Sequence, residues 1–133
     1  MAQHTKFSEE TNFRQDIKEE VRPWGKFRSF PYQKTGSIKI ITVKPGEALS
    51  LQYHNRRSEF WVILDDGLEI TLGERTWKAK ENEEIFIPSQ TPHRVRCCGK
   101  KKARIMELWL GKSEESDIVR LQDNYGRTPE IKK

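Results

Sequence analysis

From Pro23-Trp24-Gly25 onward the chain is a series of short apolar runs broken by Gly, Pro and Asp, a pattern that predicts many strands joined by tight turns. The runs place strands at 37–44, 49–54, 59–64, 68–72, 76–80, 84–88, 93–98 and 103–110. Turns fall at Lys44-Pro45-Gly46-Glu47, Asp65-Asp66-Gly67, Gly73-Glu74 and Gly99-Lys100. Two runs, 60–64 and 105–110, are apolar with little alternation, so both faces of those strands must be covered. A small barrel or double-sheet jelly roll covers the inner face, and a second subunit is the simplest cover for the outer one, which predicts a homodimer. Residues 1–22 are polar and form an N-terminal arm or, over 8–21, a short helix. The barrel and its closing tail then occupy 23–127, and 128–133 form a frayed C-terminus.

Composition narrows the function classes. A chain of 133 residues is one domain with room for a single site. The net charge of +5 raises the question of anionic partners. However, the one tight basic run, Lys100-Lys101-Lys102, follows a turn between two apolar segments and is expected to be a solvated loop. The aromatics lie in apolar strands and not in the exposed, basic-flanked pattern of a base-stacking surface, so nucleic acid is not the expected partner. Cys97 and Cys98 are adjacent, point to opposite faces of a strand and are expected to be reduced. The N-terminus is polar and no apolar stretch approaches the roughly 20 residues that span a bilayer. A cytoplasmic protein without membrane contact is the expectation.

The candidate chemistry lies in two strands. Period two puts Ser50, Gln52 and His54 on one face of their strand. In a closed barrel such polar groups must find partners, and a metal ion is one. Glu59 follows the basic segment Asn55-Arg56-Arg57-Ser58, so a hairpin folds its carboxylate back toward His54, and it shares a face with Trp61 and Ile63. His93 follows Pro88 and Pro92 at the start of another strand, on a face with Val95 and Cys97. Gln52, His54, Glu59 and His93 thus offer two imidazoles, a carboxylate and an amide oxygen. That ligand set suits one divalent ion of Zn, Mn, Co, Ni or Fe.

Beyond this spacing, the chain resembles the cupins, and within them the type II mannose-6-phosphate isomerase domain. The first cupin motif is matched by Pro45-Gly46, Gln52-Tyr53-His54, Glu59 and Gly67, and the second by 88–93. Gln52 stands where the common cupin motif has its first His, a replacement typical of this isomerase group. The resemblance extends to Arg22-Pro23-Trp24-Gly25, Leu49-Ser50-Leu51, Arg57 and Trp61. It also covers the tail Asp117-Ile118-Val119-Arg120 with Asp123-Asn124-Tyr125-Gly126-Arg127. Departures are Ser58 and Phe60, where the family usually has Ala and His, Gln90 in place of a glycine, and Cys97-Cys98-Gly99 in place of Asn-Pro-Gly. In larger relatives the domain follows a nucleotidyltransferase whose Gly-rich motif has no counterpart here, so that second activity is expected to be absent.

The resemblance implies an all-β, cupin-type jelly roll that interconverts mannose 6-phosphate and fructose 6-phosphate. That reaction needs a base, a cation and a phosphate clamp. Glu107, on a face with Ile105 and Trp109, is the base candidate because desolvation would raise its pKa. Its alternative is a carboxylate paired with a barrel arginine. Arg127 and Arg57 are the clamp candidates, with Lys44 a third. Trp24 and Trp61 are expected to be core aromatics. Two other functions fit the same residues: a non-catalytic cupin that binds a sugar phosphate or nucleotide sugar, for which Ser58 and Phe60 argue, and an isomerase or epimerase of another sugar phosphate.

Overall fold

The computed structural model describes residues 15–30, 37–111, 114 and 116–127. All elements assigned among them are strands: β1 (Lys18–Arg22), β2 (Gly25–Ser29), β3 (Ile38–Val43), β4 (Leu51–Tyr53), β5 (Arg57–Ile63), β6 (Leu68–Leu72), β7 (Arg75–Lys78), β8 (Glu84–Ile87), β9 (His93–Cys97), β10 (Ala103–Gly111) and β11 (Val119–Gln122). They form two antiparallel sheets, one ordered β1-β2-β3-β10-β5-β8 and the other β11-β4-β9-β6-β7. This is the expected jelly roll. Among the described residues no helix is long and apolar enough to cross a membrane.

Each strand expected between 37 and 110 is present, with ends moved by no more than two residues. The N-terminal expectation needs correction. Residues 18–21 belong not to a helix but to β1, which pairs with β2 from Lys18↔Ser29 to Arg22↔Gly25; 1–14 lie outside the described residues, as do 128–133. Charged Lys18, Glu19, Glu20 and Arg22 around Val21 hide the strand's alternation, and the pairing partner supplies what the local pattern lacks. Gly25 permits the turn: an added Cβ would lie 1.9 Å from the Thr42 carbonyl oxygen.

The core lies between the sheets. Its inward residues alternate along each strand, as in Ile41 and Val43 of β3, Trp61 and Ile63 of β5, and Ala103 and Ile105 of β10. Trp24 and Trp61 are buried there, as expected. Cys97 is buried, Cys98 exposed, and both are free thiols. The outer face of the larger sheet carries a cross-strand apolar row, Ile38↔Leu108↔Phe60↔Phe86, of which Phe86 is 53% exposed.

Candidate active site

Along β3, β5, β9 and β10 the inward face changes from apolar to charged toward one end of the barrel. There the side chains of Lys39, His54, Arg57, Glu59, His93 and Glu107 are all buried. His54 Nδ1 lies 2.5 Å from the Asp117 carbonyl oxygen, and His93 Nδ1 lies 2.9 Å from that of Thr91. A carbonyl only accepts, so each ring carries its proton on Nδ1 and leaves a lone pair on Nε2. Both Nε2 atoms face Glu59, at 3.1 Å for His54 and 3.6 Å for His93. Ligand atoms of the three residues lie within 4.8 Å of one another.

Glu59 is itself held from two sides: Trp61 Nε1 donates to Oε1 at 3.0 Å and Arg57 Nε to Oε2 at 3.0 Å. Burial pushes its carboxyl up, but the hydrogen bond from His54 and the charges of His93 and His54 in their protonated forms, with the charge of Arg57, outweigh that and hold it at about 2. Burial pushes His93 down, toward the neutral form that a ligand must have. His93 Nε2 is buried without a hydrogen-bond partner, a cost that a cation between the two rings and the carboxylate would remove. These residues fit a divalent ion. Gln52 stands opposite His93 in the β4–β9 pairing. Its Oε1 accepts from Ser50 Oγ at 2.5 Å, and an amide oxygen has a second lone pair for a ligand bond.

Glu107 lies beside this cluster because of register. It pairs across β3 with Lys39 and across β5 with Trp61, and the next inward residue, Trp109, pairs with Glu59. Trp109 Nε1 donates to Glu107 at 2.5 Å. Burial and then the Glu59 charge push the Glu107 carboxyl up to about 7, against the pull of Lys39, the Trp109 hydrogen bond and Arg57. Lys39 is thus the larger opposed charge, and Arg57, a barrel arginine of the kind named as the alternative, adds a smaller one. Lys39 sits over the rings of Trp109 at 4.2 Å and Phe27 at 4.5 Å.

A cavity of about 120 Å³ opens next to Glu107 and Gln52, and Arg22, Lys39, Arg57, Arg120 and Arg127 line it. Both Glu107 and Gln52 also border a smaller space of about 10 Å³ with His93, so they form walls common to the two spaces. Two buried donors of cavity residues, Trp24 Nε1 and Arg120 Nε, have no partner.

Of the expected clamp residues, Arg127 reaches the cavity while its Nε holds Asp123 at 2.9 Å. Arg57 lines it too, but its donors face Glu59, the Glu114 carbonyl and His54 Nε2. Lys44 does not join them; it borders a separate surface cavity of about 200 Å³ with Lys26 and Lys102, because the residue after buried Val43 points out of the barrel. Ser58 and Phe60 also face away, since they alternate with inward Arg57, Glu59 and Trp61. The departure at Phe60, where the family usually has His, thus falls on the outer face of β5 and not in the site.

Sequence reasoning missed Lys39, Arg22, Arg120 and the Asp117 carbonyl. Lys39 did leave a signal: it is a single cation at the inward position of the run Ile38-Lys39-Ile40-Ile41. Arg22 and Arg120 stood in recognised motifs without a role, because only the fold brings their distant segments together.

Residues 9–123 match the family described as mannose-6-phosphate isomerase C-terminal. The chain belongs to this family. Its relatives include the xanthan biosynthesis protein XanB of Xanthomonas campestris pv. campestris, 41% identical over 80% of this chain and 23% of that protein. The alginate biosynthesis protein AlgA of Pseudomonas aeruginosa is 40% identical over 84% of this chain and 24% of that protein. The mannose-1-phosphate guanylyltransferase ManC of Salmonella typhimurium is 40% identical over 83% and 23%. The chain thus spans about a quarter of the length of these relatives.

Among solved structures, oxalate decarboxylase from Bacillus subtilis superposes with a TM-score of 0.69 at 18% identity, over 86% of this chain and 32% of that one. The capsular polysaccharide assembling protein CapF of Staphylococcus aureus gives 0.69 at 17%, over 85% and 34%. At such identities these matches establish the fold, a cupin-type jelly roll, and nothing finer.

Proposed function

We propose that this domain is a metal-dependent aldose–ketose isomerase that interconverts mannose 6-phosphate and fructose 6-phosphate. The observation that carries the reading is Glu107: a buried carboxyl, raised to about 7, between the His54–Glu59–His93 cluster and a cavity lined by arginines. A base poised near neutral pH can both take and return a proton. Glu107 would remove the proton from C2 of the aldose and deliver it to C1, passing through an enediolate, and would run the reverse for the ketose. Gln52, His54, Glu59 and His93 would hold one divalent ion, which when bound supplies a Lewis acid that stabilises negative charge developing on the sugar oxygens.

Phosphate recognition falls to Arg120 and Arg127, with Arg22 at the rim. The unpartnered Arg120 Nε and Trp24 Nε1 are donors that suit ligand oxygens. Lys39, opposite Glu107 in register, keeps the site cationic as the carboxyl ionises. Arg57 has its donors on Glu59 and His54 and would act chiefly on the ligands. A homodimer through the outer row of Ile38, Leu108, Phe60 and Phe86 would cover that face; light scattering of the wild type and of Phe86→Glu tests it, with a monomeric wild type counting against it.

Metal-loaded protein should convert mannose 6-phosphate in a coupled assay. No turnover together with calorimetric binding of the same sugar would favour a binding-only domain. Ser58 and Phe60, which argued for that alternative, face away from the cavity and lend it no support. Turnover of a different hexose or pentose phosphate in preference to mannose 6-phosphate would keep the chemistry and change the substrate.

A further inference from the structure

The segment after β10 does more than close the cavity. It runs back along the connection from β4 to β5 that carries His54, which crosses between the two sheets and is not the hairpin expected from sequence, and three of its groups grip that connection. The Glu114 carbonyl accepts from Arg57 Nη1 at 3.0 Å. The Asp117 carbonyl accepts from His54 Nδ1 at 2.5 Å. The Asp117 carboxylate accepts from two successive backbone amides, Asn55 through Oδ1 and Arg56 through Oδ2, both at 2.9 Å. Those two residues form the turn between His54 and the strand that delivers Glu59. One aspartate therefore touches the histidine ring through its main chain and the histidine's turn through its side chain.

We propose that Asp117 is a positioning residue for the metal centre: its carbonyl sets the tautomer and ring orientation of His54, and its carboxylate holds that carbonyl in place by anchoring on the turn. The physical case is geometric. Without a fixed acceptor at Nδ1, the neutral ring can carry its proton on Nε2 or rotate, and either change removes the lone pair aimed at Glu59 and His93. The backbone carbonyl cannot be altered by substitution, but the side chain that registers it against the Asn55 and Arg56 amides can. Ile118, Arg120 and Arg127, in the same tail, line the basic cavity, so the element that aims a metal ligand is also the one that shapes the anion site. The inference rests on the metal reading given above.

The test is zinc affinity by competition with a chelating dye, together with the visible spectrum of the cobalt(II)-loaded protein. Asp117→Ala is expected to weaken zinc binding by roughly 10- to 100-fold, the usual cost of losing a partner that orients a ligand, and to shift the cobalt bands. A role confined to stability would lower the melting temperature and leave the cobalt spectrum unmoved. Asp117→Asn keeps one acceptor oxygen and is expected to lose less. Unchanged zinc affinity and cobalt spectrum in folded D117A overturn the proposal. If circular dichroism shows that D117A does not fold, D117N decides on the same two readouts, and wild-type values there overturn it equally. Wild-type protein that binds neither zinc nor cobalt sinks the metal reading and this inference together.

Discussion

The two ends of the barrel interior are built on the same strands and obey opposite rules. Along β10 the inward residues run Ala103, Ile105, Glu107, Trp109; along β5, read the other way, Ile63, Trp61, Glu59, Arg57; along β9, Cys97, Val95, His93. One end is an apolar core that gains stability from area removed from water. The other is buried too, yet it holds two imidazoles, two carboxylates, a lysine and an arginine, each costly to bury without partners. Burial alone thus says nothing about purpose here. The polar end persists because its charges are matched, Glu107 with Lys39 across register and Glu59 with Arg57 two positions along β5, and because the remaining orphans suit a cation and an anionic ligand.

Breaking the polar end should abolish function, and the largest effect is expected from His54→Ala. It removes a proposed ligand, so bound metal measured by elemental analysis and isomerase activity should both fall to background. Unchanged metal stoichiometry would refute the assignment of the cluster.

Glu107→Gln should leave metal content intact while activity falls by roughly 10²- to 10⁴-fold, the range for loss of a general base. Wild-type activity should rise with pH through about 7 as the carboxyl ionises. The stability consequence has the opposite sign. A carboxyl raised from 4.5 to about 7 favours the folded state below 4.5, and that contribution is lost as pH rises through about 7. Relative to E107Q, the wild type should therefore melt at progressively lower temperature between those pH values; a constant difference would mean that Glu107 is not raised.

At the apolar end the comparison sharpens. Ile105→Ala, two residues from Glu107 on the same face, should cost about 2–5 kcal/mol in urea unfolding and leave zinc affinity as it was. Loss of metal binding in a folded I105A would show that the two ends are not separable.

The smallest effect concerns the turn before His93. Gln90 adopts a left-handed φ of 61° and donates its amide to the His54 carbonyl at 2.6 Å. Gln90→Gly relieves that conformation but loosens the unfolded chain, so a net stabilisation of less than about 1 kcal/mol is expected, with activity retained. A destabilised Q90G would show that the Gln90 side chain contributes contacts of its own.

Much of this was legible along the chain, because period-two alternation and turn residues are local properties. They place β3 to β10, put Gln52, His54, Glu59 and His93 on inward faces, and put Glu107 in line with them. Where the pattern was weak the prediction failed. Strand β1 is charged on nearly every residue, and β2 and β11 are short and interrupted by polar residues, so only their pairing partners reveal them. Lys44 stood as a third clamp candidate behind Arg127 and Arg57, since chemical type was visible and direction from the barrel was not.

Alternation assigns a side chain to a face of its own strand; it carries no information about which residue stands across from it. That requires register between strands distant in sequence. Pairing therefore decides that Glu107 meets Lys39, that Asp117 reaches His54 across 63 positions, and that Arg22, Arg120 and Arg127 line one cavity. The candidate ligands and Glu107 were written locally, whereas the partners that set the state of Glu107, the anion site and the group that aims His54 exist only once long-range pairing has closed the barrel.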